Sequence, residues 1–198
     1  MFLIFSYLLG SIPTGFLIFK FTNKNDIRKS GSGNTGATNI LRTCGGKSAL
    51  ITLAIDVLKG LIVATYGLIH FKYTPIIIAG GSLAVIGHIF PIWLKFNGGK
   101  GVATFAGVLI AFAFLPSGII IFPVFIFFFI VVLITTKFVS ISSIVAVTAS
   151  FFAVLFTNVE EVSIQFLLVG ILILIRHKEN ISRLESGRED RIVWGKHE

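Results

Sequence analysis

The chain alternates between polar loops and apolar runs almost free of charge, and that alternation leaves few folds open to it. Seven runs are evident: approximately Phe2–Phe21, Ser48–His70, Pro75–Leu94, Val102–Leu115, Gly118–Thr136, Val139–Thr157 and Ser163–Ile175, two of them short. Apolar runs of about 17 to 25 residues are the length at which an α-helix crosses the bilayer hydrocarbon, where each backbone N–H and C=O must be bonded within the segment. Of 198 residues 55% are hydrophobic and 13% charged, whereas a soluble domain is about 25% charged. The expectation is an all-α, polytopic integral membrane protein, a single domain over residues 1–198, with about seven transmembrane helices. A five-helix arrangement is the alternative, if the short segments merge across Pro116-Ser117-Gly118 and Thr135-Thr136-Lys137. The first run does not read as a cleavable signal peptide. No basic residue precedes it, no small-residue cleavage site follows, and it contains Pro13 and Gly15.

Charge placement predicts orientation. With seven spans, the loops Thr22–Lys47 and Lys95–Gly101, the turn at Lys137 and the tail from Arg176 share one side. That side gathers nearly all the cations, including Lys24, Arg28, Lys29, Arg42, Lys47, Lys100, Lys137, Arg176 and Lys196, whereas the other carries Lys72 with Glu160 and Glu161. The positive-inside bias makes the first side cytoplasmic and puts the N-terminus outside. Most of these cations are explained by topology and contact with anionic lipid. The polar tail after Ile175 is too short to fold alone and is expected to lie along the interface or pack back over the helix ends. The one cysteine, Cys44, rules out an internal disulfide and reads as a small packing residue.

Three constellations on the cation-rich side carry chemistry. The first is SGSGNTGATN, Ser30 to Asn39. Gly31, Gly33 and Gly36 let the backbone turn and approach a ligand, while Ser32, Asn34, Thr35, Asn39 and free amides supply donors, as an anion cradle requires. A glycine-rich stretch can equally be a connector. Interleaved Asn and Thr, the membrane surface and Arg42 nearby favour the cradle. It is not a Walker A loop, which needs Lys-Ser/Thr after its last glycine. The second is GHIFPIWLKFNGGKGVAT, in which Gly98, Gly99, Lys100 and Gly101 lead into the next apolar helix, so that an ammonium, N-terminal amides and a helix dipole converge on one anion. His88 within it reads as a structural hydrogen bonder at a helix kink, with a site role as the alternative. In the third, RHKENISRL, His177 and Asn180 stand i, i+3 and share a helix face. Histidine suits proton transfer near neutral pH, and asparagine can donate to an oxyanion. Inside the second run, Asp56 and Lys59 are also i, i+3 and read as a structural ion pair, since intramembrane charges pair or serve function.

Together, SGSGNTGATN with Arg42, GHIFPIWLKFNGGKGVAT, and RHKENISRL with Gly187-Arg188-Glu189 resemble, in order and over essentially the whole chain, the three motifs of the bacterial acyl-phosphate-dependent glycerol-3-phosphate acyltransferases, the PlsY family. The resemblance implies transfer of an acyl group from acyl phosphate to the 1-hydroxyl of glycerol 3-phosphate at the cytoplasmic face of a bacterial inner membrane. It implies functional roles for Ser32, Arg42, Gly98, Gly99, Gly101, His177 and Asn180, and a structural one for Glu189. Acyl phosphate is an activated anhydride, so neither a covalent enzyme intermediate nor a metal or other cofactor is expected. The sequence agrees: it has no G-x-S-x-G elbow, no carboxylate cluster for Mg²⁺, and no histidine followed by Asp five residues on. The expected partners are the two substrates and membrane lipid, with no nucleic acid and no obligatory protein partner. Either His177 or a phosphate oxygen of the donor would serve as base. The competing class is a membrane transporter of anions or organophosphates, which would need polar groups near the midplane reachable from both sides.

Overall fold

The computed structural model describes residues 1–23, 25–71, 74–115, 118–156 and 160–192, and among them every regular element is helical. The order is α1 (Phe2–Gly10), α2 (Thr14–Asn23), a 3₁₀ turn at Ile27–Lys29, α3 (Ala37–Cys44), α4 (Gly46–His70), α5 (Thr74–Ile89), a second 3₁₀ turn at Ile92–Leu94, α6 (Val102–Phe112), α7 (Ile121–Thr136), α8 (Val139–Leu155), α9 (Glu160–Ile175) and α10 (Lys178–Glu185). Lys24, Lys72, Pro116, Ser117, Thr157 and Lys196 lie outside the described residues, as do the side chains of Glu160 and Glu161. The apolar runs remain separate helical segments. The Thr135-Thr136-Lys137 boundary is a real stop, with Lys137 in the left-handed region at φ 62°. Among the described residues, three stretches suffice by length and composition to cross a membrane: Phe2–Thr22, Gly46–His70 and Pro75–Leu94. The other apolar helices have 10 to 17 residues.

The first run departs from a single continuous helix. It breaks at Ser11-Ile12-Pro13 into α1 and α2, because proline has no N–H to give and its ring clashes with the preceding turn. A break at membrane depth must find partners for the backbone it frees. Here the Lys59 ammonium reaches over from α4 and donates to the Ile12 carbonyl, while it also donates to Asp56 Oδ1 at 2.6 Å. The expected Asp56–Lys59 ion pair is present, both side chains almost wholly buried at 2% and 3% exposure. His88 of α5 extends it, with Nδ1 3.6 Å from Asp56 Oδ1.

Small residues set how closely the helices pack. A Cβ at Gly60 of α4 would fall 1.9 Å from the Thr104 carbonyl of α6, and one at Gly107 of α6 would fall 1.9 Å from the Val57 carbonyl of α4. α1 and α5 repeat the arrangement, with Gly10 against Ala84 O at 2.1 Å and Gly87 against Tyr7 O at 2.3 Å. Backbones this close need glycine at the contact, as is usual where lipid supplies no hydrophobic drive between helices. The core lies between α4, α5, α6, α7, α8 and α9, around Val85, Phe105, Leu109, Phe112, Phe125, Val147 and Phe166. Exposed Ile62, Phe114, Phe127, Ile134, Phe152 and Leu168 form an apolar exterior suited to lipid.

Replacing Lys59 by Met strands a buried carboxylate, which generally costs ~3–5 kcal/mol. Lys59→Met is therefore expected to lower the thermal unfolding midpoint in detergent sharply, and the Asp56→Asn/Lys59→Met pair to lose less than the sum of the single changes. Additive losses would show that the two groups do not stabilise each other.

Candidate active site

The first cradle is built by its own side chains. Asp26 caps the Ile27–Lys29 turn by accepting Arg28 N at 3.0 Å, and its carboxylate pairs with the Arg28 guanidinium at 2.6 Å, which holds its carboxyl below the usual range. Gly31 and Gly33 take φ of 56° and 73°, the left-handed region where a side chain is strained. Buried Asn39 then staples the loop: Oδ1 accepts Ser32 N at 2.9 Å, and Nδ2 donates to Ser30 O at 3.0 Å and Asn34 O at 2.8 Å. Although Asn39 faces the cavity, its amide is committed to the loop. Asn34 Oδ1 accepts Gly36 N at 2.8 Å. The chain thereby enters α3 with Ser32, Asn34, Gly36, Ala37 and Thr38 on the cavity wall and with the first-turn amides of α3 there.

The second cradle folds back on the end of α5. Gly98 N donates to Ile89 O at 3.1 Å, Gly99 N donates to His88 O at 3.1 Å, and the Arg176 guanidinium donates to Gly98 O at 3.3 Å. A Cβ at Gly98 would sit 2.4 Å from His88 O, and one at Gly99 would sit 2.1 Å from His88 Nε2. Gly98 and Gly99, like Gly31, Gly33 and Thr35, therefore shape the loops and do not line the cavity. Gly101, at φ 88°, caps α6 and does line it with Lys100, Val102 and Ala103.

The tail packs back over this end of the bundle. His177 caps α10, and Asn180 lies one turn on; both are buried and both face the cavity. His177 Nδ1 is 2.8 Å from Ile173 O, so it carries the proton and leaves Nε2 as an acceptor. Glu189 joins the group by accepting Asn180 Nδ2 at 2.7 Å and Arg183 Nε at 2.8 Å. Burial pushes the Glu189 carboxyl up, but the hydrogen bonds from Arg183 and Asn180 outweigh it and keep the group ionised below its ordinary value. Asn180 Oδ1, buried and without a hydrogen-bond partner among the described residues, remains an open acceptor. Arg42 pairs with Asp190 at 3.2 Å.

These parts enclose one cavity of about 310 Å³. Its polar end holds Ser32, Asn34, Arg42, Lys100, His177 and Asn180, and two helix N-termini, those of α3 and α6, open onto it. Its other end is apolar, between Leu53 and Val57 of α4, Ala103, Ala106 and Ile110 of α6, and Phe122, Phe125, Ile126 and Phe129 of α7. Burial pushes the Lys100 ammonium down to about 8, and burial together with the Lys100 charge pushes the His177 imidazole down to about 4. The site at neutral pH thus presents an ammonium, a guanidinium and a neutral histidine acceptor to whatever occupies it.

Residues beyond the three motifs also reach the cavity: Ser140 and Ser143 from α8 and Asp56 from α4. His88 of the second motif lines the wall with Asp56 beneath the second cradle, so the alternative of a site position is the one the geometry favours. The serines could have been found as hydroxyls spaced i, i+3 on an otherwise apolar helix. Nothing in the sequence signalled that Asp190 would meet Arg42.

Comparison with known proteins gives consistent relatives. A family model described as glycerol-3-phosphate acyltransferase matches residues 1–187. Proteins named glycerol-3-phosphate acyltransferase from Francisella philomiragia (40% identical), Sinorhizobium fredii (41%) and Brucella ovis (41%) each align with 96% of this chain and with 91%, 90% and 91% of their own lengths. Two crystal structures of PlsY, an integral membrane glycerol 3-phosphate acyltransferase, are also similar. The glycerol 3-phosphate form has a TM-score of 0.88 and the lysophosphatidic acid form 0.84; each is 36% identical and covers 97% of this chain and 94% of the other.

A lysine poised near 8 makes anion binding depend on pH. Affinity for inorganic phosphate, read from the shift it produces in thermal unfolding, is expected to weaken as pH rises through about 8. Lys100→Met should weaken binding and remove that dependence. The same slope in the variant would assign the titration to another group.

Proposed function

The chain belongs to the glycerol-3-phosphate acyltransferase family, and from that membership we propose that it transfers a fatty acyl group from acyl phosphate to the 1-hydroxyl of glycerol 3-phosphate, releasing phosphate and 1-acylglycerol 3-phosphate. The observation that carries this reading is that one cavity combines a cationic, amide-lined end with an apolar end. Such a shape suits a donor whose head is an anion and whose tail is a hydrocarbon chain. Beside the donor there must be room for a second phosphate, and the two cradles supply two sets of donors. In this reading Ser32, Asn34, Arg42 and the α3 amides hold the acyl phosphate. Lys100, the α6 amides, His177 and Asn180 hold glycerol 3-phosphate.

The reaction then proceeds in one displacement. The 1-hydroxyl oxygen attacks the acyl carbonyl carbon, a carbon–oxygen bond to glycerol forms, and the bond from that carbon to the phosphate oxygen breaks with its electron pair leaving on phosphate. A histidine pushed down to about 4 is a weak base. His177 Nε2 therefore orients the hydroxyl by accepting its hydrogen bond, and the proton passes to an oxygen of the departing phosphate. Arg42 and the helix N-terminal amides stabilise the charge that develops there. Positioning and preorganised electrostatics account for the acceleration. The cations collect on the motif side of the bundle, which supports a multi-pass protein of a bacterial inner membrane with its site at the cytoplasmic face. Crowding of polar groups at one end speaks against a transporter.

Purified protein in detergent, given acyl phosphate and glycerol 3-phosphate, is expected to release phosphate and acylated product in equal amounts. Product formed from acyl-CoA in place of acyl phosphate would overturn the donor, and product from neither would overturn the reading. His177→Ala should lower kcat by roughly 10²-fold, as loss of a positioning contact does, while the acidic limb of the pH–rate profile keeps its midpoint. A limb that moves or vanishes would return the base to His177.

A further inference from the structure

Three polar side chains buried beneath the second cradle, Asp56, Lys59 and His88, have no part in the displacement itself. Lys59 donates to Asp56 at 2.6 Å, Asp56 Oδ1 lies 3.6 Å from His88 Nδ1, and Asp56 and His88 both line the cavity. The other edge of the same imidazole supports the glycine loop: a Cβ at Gly99 would fall 2.1 Å from His88 Nε2 and 2.9 Å from its Cδ2. The His88 carbonyl accepts Gly99 N at 3.1 Å, so His88 meets Gly99 through backbone and ring at once. Gly99 is bonded directly to Lys100, whose ammonium faces the anion site. Asp56 is itself anchored through Lys59 to the broken segment at Ile12. One chain of contacts therefore runs from the α1–α2 break, through α4 and α5, to the residue before the phosphate-binding lysine.

We propose that His88, oriented by Asp56, is a positioning residue that sets the height of Gly99 and thereby aims the Lys100 ammonium at the phosphate of the acceptor. An anchor of this kind is needed because of where Lys100 stands. Its loop is rich in glycine, and a long flexible side chain on a permissive backbone would otherwise lose much of its electrostatic effect to wandering. The flat imidazole fills the space that a Cβ at position 99 would take, and its ring cannot shift sideways while Nδ1 faces the Asp56 carboxylate. The glycines of this loop are thus matched to a histidine beneath them, and their want of side chains serves that fit. The inference rests on glycerol 3-phosphate being the ligand of Lys100.

The test is a pair of variant cycles read by glycerol 3-phosphate binding and by steady-state kinetics. His88→Gln is expected to raise KM for glycerol 3-phosphate about ten-fold, with the smaller share of the loss in kcat, as removal of an interaction common to ground and transition states should. In a Lys100→Met background His88→Gln should change KM by less than about two-fold, because interaction energies in such a cycle vanish when the shared partner is gone. Gly99→Ala should show the same KM defect, and His88→Ala/Gly99→Ala should bind glycerol 3-phosphate more tightly than Gly99→Ala alone, since the imidazole in the way has been removed. If His88→Gln gives no folded protein, the Gly99 pair decides. An equal loss from His88→Gln with and without Lys100, a loss confined to kcat, or a double variant no better than Gly99→Ala would each overturn the proposal. Wild-type protein that does not bind glycerol 3-phosphate would instead defeat the reading of the ligand. Wild-type binding matched by His88→Gln would defeat only the positioning role.

Discussion

An ammonium inside a bilayer has to be neutralised, and so does the backbone of a helix that stops partway across; Lys59 answers both needs at once. It bonds Asp56 and the Ile12 carbonyl, so that the charge has a counter-ion and the break at Pro13 keeps a bonded carbonyl. The same stretch of α4 continues into Gly60, which lets α6 approach to backbone contact, while Asp56 turns toward His88 on α5. Three neighbouring positions on one helix therefore fix the relations of α1–α2, α5 and α6 to α4. These helices carry both cradles at their ends, and any loosening at Asp56–Lys59 would be felt at the site.

The two cradles work by the same physics from different directions. α3 and α6 each begin with a glycine cap, at Gly36 and Gly101, and the first turn of each lines one cavity. Two positive helix ends in a partly dry space attract anions more strongly than either would in water. Arg42 adds a guanidinium at one side and Lys100 an ammonium at the other. The Arg42–Asp190 pair, with the carboxylate 66% exposed, contributes little by itself. It leaves the guanidinium at the rim of the cavity.

How much of this was legible in the sequence depends on the range of each interaction. The all-α membrane architecture follows from hydropathy, which is a local sum, and the helix start after Gly101 follows from glycine next to an apolar run. The i, i+3 pairs Asp56–Lys59 and His177–Asn180 were readable because helical geometry brings such residues together without help from the rest of the fold. The split of the first run at Pro13 was not, since a proline inside an apolar stretch can kink, cap or break, and the outcome depended on Lys59, forty-seven positions beyond the Ile12 carbonyl it bonds. Nor could spacing say that Asn39 would spend its amide on Ser30, Ser32 and Asn34, or that Gly98 and Gly99 would press on His88 in place of a ligand. Those outcomes are set by tertiary packing. A residue type that suits an anion cradle also suits the scaffold of one.

Burial lowers the pKa of both titratable groups at the centre, yet because they start from different values it leaves one neutral and the other charged, and both outcomes are useful for the chemistry assigned here. A desolvated imidazole loses its proton, so His177, pushed down to about 4, offers a lone pair that can orient a hydroxyl across the neutral range without competing for the phosphates as a cation. A desolvated ammonium is also weakened, yet at about 8 Lys100 remains mostly charged near pH 7. Its margin is small, and a bound phosphate dianion would widen it, because an opposite charge at contact favours the protonated form. Ligand binding and lysine protonation thus reinforce each other, whereas protonation of His177 beside Lys100 would be opposed by the same charge. The site is arranged so that its cation is strongest when an anion is present and its acceptor stays neutral throughout.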